Sequence, residues 1–125
     1  LTSMQKDIKA ARGVVDSTTS ISHHLQTPLN VRTEMLKLHV VLSLLGLTTL
    51  WTCEVVPVDT RNFVPENFVV DGVIALYFRR ILDKRIHSIE IYKMRGCEHS
   101  NKIHPFEIGK KGIVINPGEG VYGEF

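Results

Sequence analysis

Gly13-Val14-Val15-Asp16-Ser17 is the stretch on which the fold turns. Two β-branched residues run directly into a carboxylate and a hydroxyl. Valines stiffen the chain toward extended backbone, so positions 14 and 15 predict a short buried strand ending at Asp16. Upstream, Thr2 or Ser3 is placed to cap a short helix through Ala11, with Gly13 closing it. Downstream, residues 17–27 are polar and read as a loop. Pro28 suits the first turn of a helix. Met35, Leu36, Leu38, Val41, Leu42 and Leu45 then recur at helical spacing among Arg32, Glu34 and Lys37, and Gly46 supplies the stop. Thr48-Thr49-Leu50-Trp51-Thr52 has the composition of a second strand, with Trp51 in the core. Strand, helix, strand implies a parallel α/β unit.

The second half has a different rhythm. Pro57 and Pro65 make residues 54–67 a loop. A turn at Asp71-Gly72 leads into a strand over 73–78, and Asp83-Lys84 resembles a hairpin tip. Residues 85–94 alternate, with Ile86, Ser88, Glu90 and Tyr92 on one side and His87, Ile89, Ile91 and Lys93 on the other. Phe106-Glu107-Ile108 and Ile113-Val114-Ile115 flank residues 109–112 as a second hairpin, closed by Asn116-Pro117-Gly118. The predicted class is therefore α/β, parallel strands followed by a C-terminal antiparallel β extension.

The 125 residues suffice for one domain, and their 43% apolar and 22% charged usage is that of a globular chain. A net charge of +2 is too small to mark a nucleic-acid binder by bulk electrostatics. No apolar run reaches the roughly 18 residues that a membrane span needs. Cys53 and Cys97 form no disulfide framework, so a cytoplasmic, reduced chain is the expectation.

Three stretches together carry a family resemblance. They are Gly13-Val14-Val15-Asp16-Ser17; Val69-Val70-Asp71-Gly72-Val73-Ile74-Ala75-Leu76; and Lys93-Met94-Arg95-Gly96-Cys97-Glu98-His99 followed by His104-Pro105-Phe106-Glu107-Ile108 and Gly112-Ile113-Val114. In this order the chain resembles the C-terminal part of a KaiC-like ATPase of the RecA superfamily, from the Walker B strand onward. The resemblance implies a single partial RecA-like, P-loop NTPase domain over 1–125, ATP and Mg²⁺ as cofactors of the complete protein, and self-association as a dimer or hexameric ring. It assigns Asp16 and Ser17 to Mg²⁺ held through water, with Asp16 the metal-side carboxylate. A carboxylate at a strand end can do this; it can also merely cap the next turn. The resemblance assigns Lys93, Met94, Arg95, Cys97 and His99 to ATP bound by the neighbouring subunit. Lys93 and Arg95 would reach phosphate oxygens, and Met94, Cys97 and His99 would lie around base and sugar. Lysine brings a point charge and arginine a planar fork suited to phosphate. The plainer alternative is a solvated strand edge whose cations discourage aggregation. Cys97 departs from the small hydroxyl residue expected at its position, and a thiol is a poorer hydrogen-bond partner.

A phosphate-binding loop reads Gly, four residues, then Gly-Lys-Ser or Gly-Lys-Thr. The only Gly-Lys here, Gly109-Lys110, has His104 and Lys111 where Gly and Ser or Thr belong. These residues alone are not expected to hydrolyse ATP. In the RecA-like sheet the phosphate-loop strand lies between the strands matching 48–52 and 73–78. Either that strand comes from sequence outside this chain, or a partner fills the gap, or the two strands close up.

Two other readings compete. One is a truncated, non-catalytic interaction protein that binds a protein partner. The other is a RecA-like DNA-associated module acting through residues 17–27 and 54–66. Arg79, Arg80, Lys84 and Arg85 form a basic hairpin, but no aromatic interleaving is evident beside them for stacking on bases. Cys97, His99 and His104 match no common zinc spacing.

Overall fold

The computed structural model describes residues 8–25, 27–54 and 65–120. The chain divides into two compact units, Leu1–Val70 and Asp71–Phe125.

The first unit contains β1 (Arg12–Val15), α1 (Thr18–Ser22), α2 (Pro28–Leu44), β2 (Thr48–Trp51) and a 3₁₀ turn, Pro65–Phe68. β1 and β2 run parallel, from Arg12 opposite Thr48 to Val15 opposite Trp51. Gly13 was expected to close a helix; it sits instead inside β1, opposite Thr49. The ladder begins early because the Thr48 amide donates to the Ala11 carbonyl at 3.1 Å. A β-carbon on Gly13 would lie 3.4 Å from Thr49 Cγ2, an ordinary van der Waals contact within the ladder. The rest of the expected first helix, residues 1–7, lies outside the described residues. The expected burial of β1 holds for one face only, since the paired Val14 and Leu50 are both exposed.

Residues 17–27, expected as a loop, contain the five-residue α1. Hydroxyls that argue for a loop in isolation here find backbone partners. Ser22 Oγ donates to the Thr18 carbonyl at 3.1 Å, and buried Thr18 binds across to Thr52.

Helix α2 starts where Thr27 Oγ1 accepts the Asn30 amide at 3.3 Å, with Pro28 in the first turn. It ends in a Schellman motif. The Leu47 amide reaches the Leu42 carbonyl at 3.2 Å and the Gly46 amide reaches Ser43 at 2.9 Å, with Gly46 at φ +69°. Val31 and Met35 of α2 form a core with Val69, packed by Ile21, Leu25 and Trp51.

The second unit is a four-stranded antiparallel sheet in sequential order. Its strands are β3 (Gly72–Ile81), β4 (Lys84–Met94), β5 (His104–Gly109) and β6 (Gly112–Ile115). The first turn is Leu82-Asp83, one residue earlier than expected, because Lys84 already pairs with Ile81. Near the other end the register shifts between Val73 and Ile74, so that Val73 faces Lys93 while Ile74 faces Ile91. Such a bulge adds twist and re-aims the residues at the strand end. Among the described residues of this sheet, Ser88 and Phe106 are buried. β2 and β3 belong to different sheets. No helix among the described residues is long and apolar enough to cross a membrane.

Candidate functional site

Asp16 follows the last residue of β1, and Thr52 follows the last residue of β2. Ligands of open α/β sheets collect at this carboxyl end of parallel strands. The parallel ladder continues one step past the strands, the Thr52 amide donating to the Val15 carbonyl at 3.0 Å. The Thr52 hydroxyl then donates to Asp16 Oδ1. The Asp16–Ser17 peptide bond is cis. Beyond it, the Thr18 amide and Oγ1 both donate to the Thr52 carbonyl, at 2.9 and 3.2 Å. Thr19 Oγ1 accepts the Glu54 amide at 2.8 Å and faces Cys53 Sγ at 3.9 Å. Three threonines thus lash the two strand ends together and aim an exposed carboxylate outward. Ser17 is half-buried, its hydroxyl 3.5 Å from that of Ser20.

This edge offers hard oxygen donors, which suit Mg²⁺ held mainly through its water shell. It offers one carboxylate rather than a cage. Among the described residues no cluster of three or more His, Cys, Asp or Glu could hold a metal, and Cys97, His99 and His104 are no exception. The structure places Asp16 and Ser17, the residues singled out in the sequence, beside Thr18, Thr19 and Thr52, which were not singled out. The signal for Thr18 and Thr19 is their position directly after Asp16-Ser17; Thr52, distant in the chain, carries none.

The second group lies in the second unit. Lys93 and Met94 end β4; Arg95 and Gly96 form the turn after it, with Gly96 at φ +77°. Lys93 is half-buried, whereas Arg95, Cys97 and His99 are exposed. The Arg95 amide donates to the Asp71 carbonyl at 2.8 Å, and Arg95 Nη1 lies 3.6 Å from Asp71 Oδ1. Partial burial and the neighbouring Arg95 guanidinium lower the Lys93 pKa from its ordinary value, against the opposing pull of Asp71. His99 Nδ1 lies 3.0 Å from the Ser100 carbonyl, which can only accept, so that nitrogen carries the proton. Ser100 Oγ meets His104 Nε2 at 3.1 Å. All five residues picked from the sequence therefore cluster along one strand end and its loop. Asp16 and Ser17 belong to the other unit.

The basic hairpin carries more aromatic character than its sequence suggested. The Phe78 and His87 rings stack at 4.1 Å, with the Arg85 guanidinium 5.2 Å from the Phe78 centroid. Arg79 lies 5.2 Å from the Tyr77 centroid. The Phe78 contacts are hidden in the sequence because His87 and Arg85 stand on the opposite strand. Arg80 and Arg85 pair directly across, a like-charge juxtaposition.

A helical crossover between parallel strands, a carboxylate at their carboxyl end and an antiparallel extension define an α/β protein with its candidate site at the carboxyl end of its parallel strands. A model of the KaiC ATPase family matches residues 1–120, and the chain belongs to that family. A UPF0273 protein of Thermotoga maritima is 38% identical over 120 residues, covering 94% of this chain and 48% of that protein. The circadian clock protein KaiC3 of Synechocystis is 39% identical over 114 residues, covering 87% of this chain and 22% of the relative. The crystal structure of a KaiC-like protein from Pyrococcus horikoshii superposes with a TM-score of 0.77 at 37% identity, covering 93% of this chain and 51% of that one. The chain spans about half the length of the UPF0273 relatives it matches.

Proposed function

We propose that this chain supplies two parts of ATP handling in a self-associating KaiC-like ATPase. Asp16, with Ser17 beside it, holds Mg²⁺ through water on the nucleotide of its own subunit. Lys93 and Arg95 bring positive charge to the phosphates of ATP bound by a neighbour, with Met94, Cys97 and His99 around base and sugar. When present, Mg²⁺ offsets phosphate charge. Asp16, steadied by Thr52, orients the water through which the ion is held, and the exposed Arg95 guanidinium exchanges its contact with Asp71 for an incoming phosphate oxygen. An arginine supplied from another subunit can accelerate phosphoryl transfer by about 10³ to 10⁵. The phosphate cradle itself has to come from outside these 125 residues.

The carrying observation is the threonine-braced Asp16 at the carboxyl end of the parallel pair. The test is complementation in the natural gene product. Asp16→Asn subunits and Arg95→Ala subunits are each expected to lose ATP turnover. Mixed one to one, they should regain about a quarter of the wild-type rate, the fraction of interfaces with both groups intact in a head-to-tail ring. Failure of the mixture to recover would sink the assignment across subunits.

A second reading, contact with single-stranded nucleic acid, draws on the Phe78–His87 stack beside Arg80 and Arg85. It requires binding that weakens steeply with salt and is lost in an Arg80→Glu, Arg85→Glu double variant.

A further inference from the structure

We propose that Asp71 and Gly72 form the seat that positions Lys93 and Arg95, with the Asp71 carboxylate standing in for phosphate until nucleotide arrives. This rests on the reading that those two cations contact the phosphates of a neighbouring subunit's ATP.

Four observations converge on the seat. The Asp71 carbonyl takes the Arg95 amide at 2.8 Å, pinning the backbone where β4 gives way to its turn. The Asp71 carboxylate stands 3.6 Å from Arg95 Nη1. Gly72 is the first residue of the β3–β4 ladder, opposite Met94. A β-carbon there would fall 2.8 Å from Met94 Sδ and 3.0 Å from its Cε. Glycine here lets the Met94 thioether lie against the start of β3, and a β-carbon would displace that flexible side-chain end from the strand end that carries both cations. Among the charged groups acting on Lys93, Arg95 opposes its ammonium charge and Asp71 supports it.

The strength of the pair fits a temporary partner. The side chains of Arg95 and Asp71 are 55% and 75% exposed, so water screens the attraction. A phosphate offers the guanidinium two parallel charge-assisted bonds and outcompetes such a contact. The seat therefore aims Arg95 without trapping it. It also separates two cations that would repel each other at an empty interface. On this account Asp71 is a positioning residue and touches no reacting atom.

The experiment uses the natural gene product with four variants, Asp71→Asn, Asp71→Glu, Arg95→Ala and Asp83→Asn. Asp83 lies in the turn at the far end of the same hairpin, so its variant makes the same charge change away from the seat. The readouts are kcat and KM for ATP across pH, the melting temperature, and the Lys93 ammonium titration by NMR. In Asp71→Asn, kcat should fall about two- to fivefold, as befits loss of an exposed ion pair. Its alkaline limb should move to lower pH, because Lys93 deprotonates earlier without the carboxylate. Asp71→Glu should recover part of both effects, and Asp83→Asn should match wild type. If Arg95→Ala loses turnover while Asp71→Asn changes neither kcat, pH profile nor Lys93 titration, the seat is wrong and the reading of the cations stands. A fall in melting temperature with no pH shift and no rescue by glutamate would reduce Asp71 to a structural role and overturn the proposal. If Arg95→Ala keeps full turnover, the reading of the cations fails and the seat falls with it.

Discussion

Met35→Ala is the substitution whose cost is most directly set by the structure. Met35 is fully buried at 0% exposure and is the centre of the first unit's core, touched by Val31 and Val69 and enclosed by Ile21, Leu25 and Trp51. Truncation removes three heavy atoms and leaves a cavity. Large-to-small changes of this kind cost about 2–5 kcal/mol, the spread reflecting how far the surroundings collapse. So few enclosing side chains allow partial collapse, which places the cost near 2–3 kcal/mol on the same scale. For a unit of this size each kcal/mol moves the midpoint by about 4–8 °C, so the melting temperature should drop by about 10–20 °C. Far-ultraviolet circular dichroism across a thermal ramp reads this directly. Two controls bracket it: Met35→Leu conserves volume and should cost less than about 1.5 kcal/mol, and Leu36→Ala, at a 51% exposed neighbour, should move the midpoint little. A Met35→Ala midpoint within about 3 °C of wild type, or an equal drop for Leu36→Ala, would refute the placement of the core.

Three further outcomes are expected. Thr52→Val keeps shape but removes the donor to Asp16; half-saturation by Mg²⁺ in the ATPase assay should rise about two- to fivefold, discounted for the exposure of Asp16. Thr27→Ala removes the α2 cap and should cost about 0.5–1 kcal/mol in urea unfolding. Burial, then the hydrogen bond to Glu90, raises the Tyr77 pKa to about 12. A raised folded value means its stabilisation is whole below the unfolded value near pH 10 and is lost as pH climbs toward 12. Tyr77→Phe should flatten that alkaline decline in unfolding free energy.

Signals carried by neighbouring residues were legible in the sequence. Pro28 and Gly46 bounded α2 because proline preorganises a first turn and glycine takes the left-handed closing position. The two hairpins were legible because alternation and tight turns are both local. What escaped depended on partners distant in the chain. Gly13 reads as a helix stop until Thr49 is seen beside it. Residues 18–22 read as loop until Thr52 takes the amide and hydroxyl of Thr18. The brace on Asp16 joins residues 36 apart, and no periodicity announces such a pairing. At the second group the family resemblance, rather than pattern, picked out residues 93–99. Their seat went unnoticed because Asp71-Gly72 looked like nothing more than a turn.

Trp51 is the chain's only tryptophan, and it packs against the core of the first unit. Its indole Nε1 is shielded from solvent and has no hydrogen-bond partner among the described residues. Its emission should therefore be blue-shifted when folded and should shift to the red as α2 leaves β2. The second unit carries Tyr77, Tyr92 and Tyr122 but no tryptophan, so excitation at the red edge is blind to it. One fluorophore, placed by nature in one half, lets the loosening of that half be followed alone, and comparison with circular dichroism shows whether the two halves melt together.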